Sequence, residues 1–185
     1  RRGRSVCARD DQVPVVKASE PLLLLVDGHH LAYRAFHALP PSLAAADGTP
    51  TGALLGFARA LNALRAKWQP SHMAAVFDGG LPVSRTSLLP QYKAQRPPMP
   101  EPLRHQMTLI REYLALSGVP TVRQEGEESD DVLATLADRA AADGANVLIA
   151  SGDKDLLQLV GERVRVVRPD MPDTTVDRDG VVRML

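Results

Sequence analysis

Three short runs of mainly apolar residues, each followed by glycine and acidic residues, constrain the fold of this chain most strongly. They cover residues 22–26, 73–77 and 146–150. Helical patterns of apolar residues lie between them, over residues 52–67, 103–116 and 129–142. Strands that are apolar on both faces are typical of a parallel sheet covered by helices. The alternation therefore predicts an α/β fold with an open, mostly parallel central sheet and helices on both faces.

The chain length of 185 residues predicts one domain of this kind. Residues 1–21 lack apolar periodicity, so we expect a flexible tail there and a folded catalytic domain over residues 22–185. Residues 119–122 and 164–167 are expected as further strands. Residues 176–182, around an Asp-Gly pair, are expected as a terminal hairpin.

Composition excludes several classes of protein. The 22 basic and 22 acidic residues give zero net charge, which rules out a uniformly basic nucleic-acid coat. Cys7 is the only cysteine, so neither a disulfide framework nor a cysteine-based zinc site is possible. No apolar run approaches the roughly 20 residues that span a bilayer, and no leader is evident, so we expect a cytoplasmic protein without a membrane partner.

Acidic residues follow the predicted strands and open one predicted helix. They are Asp27, Asp78, Asp153 and Asp155 after strands, and Glu128, Asp130 and Asp131 at the start of the helix. The carboxyl ends of parallel strands meet at one edge of the sheet, where ligands bind. Clustered carboxylates repel one another, and a site with only oxygen ligands suits Mg²⁺ or Mn²⁺. Paired ions of this kind catalyse phosphodiester hydrolysis.

A basic segment, residues 79–100, follows Asp78 and is called the arch segment below. It contains Arg85, Lys93 and Arg96 and no acidic residue. Tyr92 offers an aromatic face on which a base can stack, while the lysine and arginine side chains suit phosphate. His29, Tyr33 and Arg34, in the predicted helix after Asp27, are further candidates for contact with nucleic acid.

Five motifs together make the chain recognisable. They are VDGHHLAYR at 26–34, VFD at 76–78, YKAQR at 92–96, ESDDVLA at 128–134 and SGDKDL at 151–156. Over about residues 22–170 the chain resembles the 5′→3′ exonuclease domain of bacterial DNA polymerase I, within the PIN-like flap endonuclease superfamily. The resemblance implies a metal-dependent nuclease that cleaves DNA near 5′ ends or flaps during repair and replication. It also suggests a DNA polymerase as a partner.

The resemblance assigns a role to each candidate residue. One metal ion would be held by Asp27, Asp78, Glu128 and Asp130, and a second by Asp130, Asp153 and Asp155, with Asp131 close by. Two Mg²⁺ ions are implied, with Mn²⁺ as a substitute. Lys93 and Arg96 would contact the scissile phosphate from a basic arch, and Tyr92 would stack on a terminal base.

Two departures from the family pattern leave alternatives open. The family continues into an Asp-x-x-Asp pair and a helix–hairpin–helix region, whereas this sequence ends at Leu185, so we expect a domain without that region and with a weak grip on duplex DNA. Residues 170–173 have the Asp-x-x-Asp spacing but are expected to form a turn. The alternatives are a catalytically weak nucleic-acid-binding lobe that needs a C-terminal half, and a compact PIN-type ribonuclease.

Overall fold

The computed structural model describes residues 20–89, 91–95 and 97–184, with backbone only for Val83, Ser84 and Met184. Arg96 and nearly all of the expected tail therefore lie outside the described residues. The described end of that tail contacts the sheet edge. The Glu20 carboxylate accepts hydrogen bonds from Asn146 Nδ2 and Arg163 Nη1, each at 2.9 Å.

In the described residues six strands form one sheet, and its open, mostly parallel arrangement was predicted. They are β1 (Leu22–Asp27), β2 (His72–Val76), β3 (Thr121–Val122), β4 (Asn146–Ala150), β5 (Val164–Val167) and β6 (Thr175–Val176). The spatial order is β3-β2-β1-β4-β5-β6, and only β6 is antiparallel to its neighbour. The strand order reverses between β1 and β4, which is the position where open α/β sheets bind ligands.

Helices cover both faces of the sheet. They are α1 (Gly28–Ala38), α2 (Gly52–Trp68), α3 (Val83–Leu88), α4 (Glu101–Leu116), α5 (Ser129–Ala142), a 3₁₀ helix (Asp155–Leu159) and α6 (Arg178–Met184). Side chains of α1, α2 and α4 pack with Leu24 and Val26 on one face. Side chains of α5 pack with Leu25 and Ile149 on the other. Within the described ranges, no helix has the length and apolar character needed to cross a membrane.

The start of α2 depends on a residue of α4. Thr51 makes no side-chain capping bond. Instead the buried Gln106 side chain accepts the Ala53 N–H at 2.7 Å and the Leu54 N–H at 3.2 Å through Oε1. Because free N–H groups at a helix start are costly when buried, this contact fixes α2 against α4.

The expected terminal hairpin is wrong. Residues 175–176 pair with β5, but the chain then forms α6 rather than a returning strand. Asp177 Oδ1 accepts the Gly180 N–H at 2.8 Å and caps α6, so the Asp179-Gly180 pair that suggested a turn lies in the first turn of a helix. The turn expected at residues 170–173 is confirmed, since the Met171 N–H donates to the Arg168 C=O at 2.9 Å and the Thr174 N–H donates to the Met171 C=O at 3.1 Å.

Candidate functional site

A cleft of about 510 Å³ opens at the carboxyl edge of the sheet, around the ends of β1, β2 and β4 and the start of α5. The acidic residues that line it are Asp27, Asp78, Glu128, Asp130 and Asp153. Lys93 of the arch segment, His29 and Tyr33 line it as well. The parallel sheet thus brings five of the seven predicted carboxylates into one cavity.

Asp27 ends β1 and is only 2% exposed. Its Oδ1 accepts the His30 N–H at 3.0 Å and so caps α1, while its Oδ2 accepts the Ser151 hydroxyl at 2.9 Å. Burial raises the pKa of Asp27 to about 6, and the charges of Asp78 and Asp153 add to the rise. Burial and the neighbouring acids therefore disfavour the ionised form of Asp27, and a bound cation would stabilise it.

Ser151 follows β4 and connects Asp27 to the next two acids. Its fully buried hydroxyl oxygen accepts the Asp153 N–H at 3.1 Å. Asp153 Oδ1 in turn accepts the Asp155 N–H at 2.9 Å. Asp155 begins the 3₁₀ helix and is exposed, outside the residues that line the cleft.

Asp78 is the second residue after β2 and is held by two neighbours. Its backbone N–H donates to His29 Nδ1 at 3.0 Å, and its Oδ1 accepts the Ser129 N–H at 2.9 Å. The His29 ring makes an edge contact with Phe77 at 5.7 Å between ring centres. Burial lowers the pKa of His29, which favours a neutral ring with its proton on Nε2.

The loop after Asp78 is tied to the loop before α5. The Gly79 N–H donates to the Glu127 carbonyl at 2.8 Å, and a Cβ at Gly79 would stand 1.4 Å from the Gln124 carbonyl oxygen. Arg123 donates to the carbonyls of Asp78 and Gly79 at 3.0 and 3.1 Å. These contacts leave no space for a side chain at Gly79 and fix the base of the arch segment.

Glu128 is buried and receives three side chains of the arch segment. Lys93 Nζ and Arg85 Nη1 form ion pairs with its carboxylate, and the Tyr92 hydroxyl donates to it at 2.9 Å. Arg85 also reaches Asp131 Oδ1 at 2.8 Å through Nη2. Burial alone would raise the pKa of Glu128, but the bonds from Lys93 and Tyr92 and the two cationic charges hold it below its usual range.

Among the described residues, no cation pairs with Asp130 in the way that Lys93 and Arg85 pair with Glu128. Burial raises its pKa to about 6, reinforced by the charges of Asp27, Asp153 and Asp78. The donor set of the cleft consists of carboxylate oxygens, which fits a hard divalent ion. In the arrangement described, with Glu128 engaged by the arch segment, no three His, Cys, Asp or Glu side chains of the described residues are grouped closely enough to hold one.

Several predicted residues lie beside the cleft rather than in its wall. Arg85, Tyr92 and Asp131 contact Glu128 or one another as given above. Arg34 pairs with Asp170 at 2.9 Å and lines a shallow groove next to His30. His30 lines the cleft, and its buried Nε2 has no hydrogen-bond partner among the described residues.

Sequence reasoning missed three residues that hold the predicted acids: Ser151, Ser129 and Arg123. Ser151 directly follows an apolar strand and precedes Gly-Asp, so its place at a strand end was a usable signal. Ser129 contributes a backbone N–H and Arg123 binds backbone carbonyls. No sequence pattern indicates either of these contacts.

Comparison with known proteins finds a matching family model and several named relatives. Residues 22–185 match the family model described as 5′-3′ exonuclease, N-terminal resolvase-like domain. A 5′-3′ exonuclease of Aquifex aeolicus is 42% identical over 161 residues, covering 87% of this chain and 55% of that protein. DNA polymerase I of Pseudomonas aeruginosa is 44% identical over 163 residues, covering 88% of this chain and 18% of that protein. The chain thus spans about half of the first relative and less than a fifth of the second.

Solved structures show the same fold. The zinc-bound bacteriophage T5 5′-exonuclease aligns with a TM-score of 0.62 at 21% identity, covering 85% of this chain and 59% of that chain. A T5 flap endonuclease complex with DNA and metal ions aligns with a TM-score of 0.57 at 21% identity, covering 80% and 54%. The chain has the PIN-like fold. Because the family model matches residues 22–185, the chain belongs to the 5′-3′ exonuclease family and corresponds to the N-terminal resolvase-like domain of that family.

Proposed function

We propose that this chain is the catalytic lobe of a divalent-metal-dependent nuclease that hydrolyses DNA phosphodiester bonds near 5′ ends or flaps, in DNA repair and replication. The observation that carries the proposal is the cleft in which five carboxylates face Lys93. Its relatives are named as 5′-3′ exonuclease and DNA polymerase I, which supports a DNA substrate and a polymerase as partner.

The proposed metal ligands divide into two sets. Asp27, Asp78, Glu128 and Asp130 would hold one ion, and Asp130, Asp153 and Asp155 a second, with Asp131 nearby. Mg²⁺ fits these oxygen ligands, and Mn²⁺ can replace it. The raised pKa values of Asp27 and Asp130 support the assignment, because crowded carboxylates require a counter-charge. When bound, the ions supply Lewis acidity and neutralise charge on the phosphate.

The arch segment would supply the cations that hold the DNA. Lys93 and Arg85 now pair with Glu128, and a phosphate entering the cleft competes with that carboxylate for both. Tyr92 is close enough to Glu128 to present its ring beside the same phosphate and stack on a base. Arg96 is assigned to the phosphate by its motif alone. His29, Tyr33 and Arg34 would contact the strand from α1.

The role of His29 follows from its hydrogen bond. Because Nδ1 accepts the Asp78 N–H, Nε2 keeps the proton of the neutral ring and can donate to a phosphate oxygen. Ser129 fixes the Asp78 carboxylate from the other side. These residues would therefore orient one proposed ligand and bind substrate without changing charge.

Cleavage assays test the function directly. The chain is incubated with 5′-flap DNA, blunt duplex DNA and single-stranded RNA in Mg²⁺, Mn²⁺ or EDTA, together with the variants Asp153→Asn and Asp138→Asn. Asp138 is an exposed acid of α5 and serves as the matched control. We expect metal-dependent cleavage of DNA that Asp153→Asn abolishes and Asp138→Asn retains.

Each other outcome selects a different function. Preferential cleavage of RNA would identify a PIN-type ribonuclease. Salt-dependent DNA binding without cleavage in any metal would identify a nucleic-acid-binding lobe and overturn the enzyme proposal.

A further inference from the structure

Ser151 is the most deeply buried polar residue around the cleft. It stands between the end of β4 and Asp153, and its side chain is 0% exposed. It is neither acidic nor basic, and solvent cannot reach it to replace its hydrogen bonds. Removal of the Ser151 hydroxyl would therefore leave its two hydrogen-bond partners in the protein without a replacement.

The hydroxyl has one proton, and its partners determine where that proton lies. A carboxylate oxygen only accepts and a backbone N–H only donates. The Ser151 hydroxyl must therefore donate to Asp27 Oδ2, at 2.9 Å, and accept from the Asp153 N–H, at 3.1 Å. With the Asp155 N–H bond to Asp153 Oδ1, an unbroken series of hydrogen bonds runs from β1 through β4 to the 3₁₀ helix.

This series connects the two proposed sets of metal ligands. Asp27 belongs to one set, while Asp153 and Asp155 belong to the other. Each carboxylate oxygen of Asp27 accepts one hydrogen bond, from His30 N–H or Ser151, and each retains a lone pair for an ion. Ser151 itself is not among the residues that line the cleft, and its neutral oxygen is a weaker ligand than a carboxylate.

The neighbouring backbone is confined as well. A Cβ at Gly152 would lie 2.7 Å from His30 Nε2 and 3.3 Å from Arg34 Nη1, so α1 packs directly against the peptide between Ser151 and Asp153. The segment cannot move toward α1 to find other partners for the Asp153 N–H. The β1–β4 register brings Asp27 and Ser151 to the same edge of the sheet, and the serine hydroxyl joins the Asp27 carboxylate to the Asp153 backbone.

We propose that Ser151 is a positioning residue that holds Asp153 in place relative to Asp27 and so strengthens the binding of divalent ions in the cleft. The inference rests on the proposed metal-dependent function. Residues that orient metal ligands without touching the metal typically contribute 10- to 100-fold to affinity or activity.

The test compares Ser151→Ala, Ser151→Thr and Ser151→Val in the full chain. Threonine and valine have nearly the same shape and differ by the hydroxyl, so their ratio isolates the hydrogen bonds even where the extra methyl group destabilises both. Binding of Mn²⁺ alone is followed by electron paramagnetic resonance without DNA, and the exchange rate of the Asp153 amide by NMR. Thermal unfolding confirms that each variant is folded.

We expect Ser151→Ala and Ser151→Val to weaken Mn²⁺ binding about 10-fold or more and to speed exchange of the Asp153 amide. The Mn²⁺ affinity of Ser151→Thr should stay within about 3-fold of the wild-type value. The role of Ser151 would be overturned if Ser151→Ala bound Mn²⁺ with wild-type affinity, or if Ser151→Thr and Ser151→Val had equal affinities, even if the melting temperature fell. A wild-type chain that binds no Mn²⁺ and cleaves no DNA would instead overturn the proposed function and this role with it.

Discussion

His29 Nδ1 accepts a hydrogen bond from the backbone N–H of Asp78 over 3.0 Å. His29 lies in the first turn of α1 and Asp78 two residues after the end of β2, so the bond joins the segments that follow two neighbouring strands. The ring is also held against Phe77. One imidazole thus anchors a proposed metal ligand through Nδ1 while Nε2–H remains for the substrate.

Substitutions at His29 separate these two functions. His29→Asn places an acceptor near the position of Nδ1 but removes the Nε2–H donor. His29→Phe keeps an aromatic ring and removes both the acceptor and the donor. A hydrogen bond to a charged group contributes about 1.5–3 kcal/mol, so we expect kcat/KM on flap DNA to fall about 10- to 100-fold in His29→Asn and further in His29→Phe. Equal losses in the two variants would show that the bond to Asp78 has no effect on the reaction.

Lys93→Ala should weaken DNA binding and catalysis because it removes the arch cation that faces the cleft. We expect the slope of log affinity against log salt concentration to fall by about 1, measured in EDTA, and kcat in Mg²⁺ to fall about 10²-fold. Lys67→Ala is the matched control, since Lys67 also pairs with an acid, Asp173, at 2.8 Å. A similar change in slope for Lys67→Ala would contradict a specific role for Lys93.

Asp130→Asn should stabilise the metal-free protein at neutral and alkaline pH. The pKa of Asp130 rises from 3.8 to about 6 on folding, mainly through burial, so the folded state binds more protons between these values and loses stability as pH increases. The amide does not ionise, so its advantage is absent below about pH 4 and full above about pH 6. The gain is at most about 3 kcal/mol and is reduced by solvent screening.

Chemical unfolding in EDTA at several pH values measures this advantage. Addition of Mg²⁺ should shrink it, because the ion stabilises the ionised aspartate and not the amide. A pH-independent difference between the variant and the wild type would contradict the raised pKa.

Gln106→Ala should destabilise the fold without altering the cleft. It leaves the buried N–H group of Ala53 and the partly buried N–H group of Leu54 without their acceptor, at a cost of about 1–3 kcal/mol in the free energy of unfolding. Gln158→Ala, at an exposed glutamine of the 3₁₀ helix, should change it by less than about 0.5 kcal/mol. Thermal denaturation distinguishes the two, and equal melting temperatures would exclude the capping role.

Much of the fold and part of the site could be predicted from the sequence. The apolar runs at residues 22–26 and 146–150 became central parallel strands, and the helix predicted over residues 129–142 has those bounds in α5. The convergence of Asp27, Asp78 and Asp153 on one cleft follows from strand direction alone, since parallel strands end at the same edge.

Local patterns by themselves determined these features, because burial imposes a period on the sequence and strand ends impose an order on the acids. Only the tertiary structure decided which groups meet across the chain. Ser151 donates to Asp27, which lies 124 residues away in the sequence. Lys93 and Glu128 form an ion pair over a separation of 35 residues, and Gln106 caps α2 over a separation of 53 residues. Such bonds depend on how whole elements pack, and a polar residue carries no periodic signal of its distant partner.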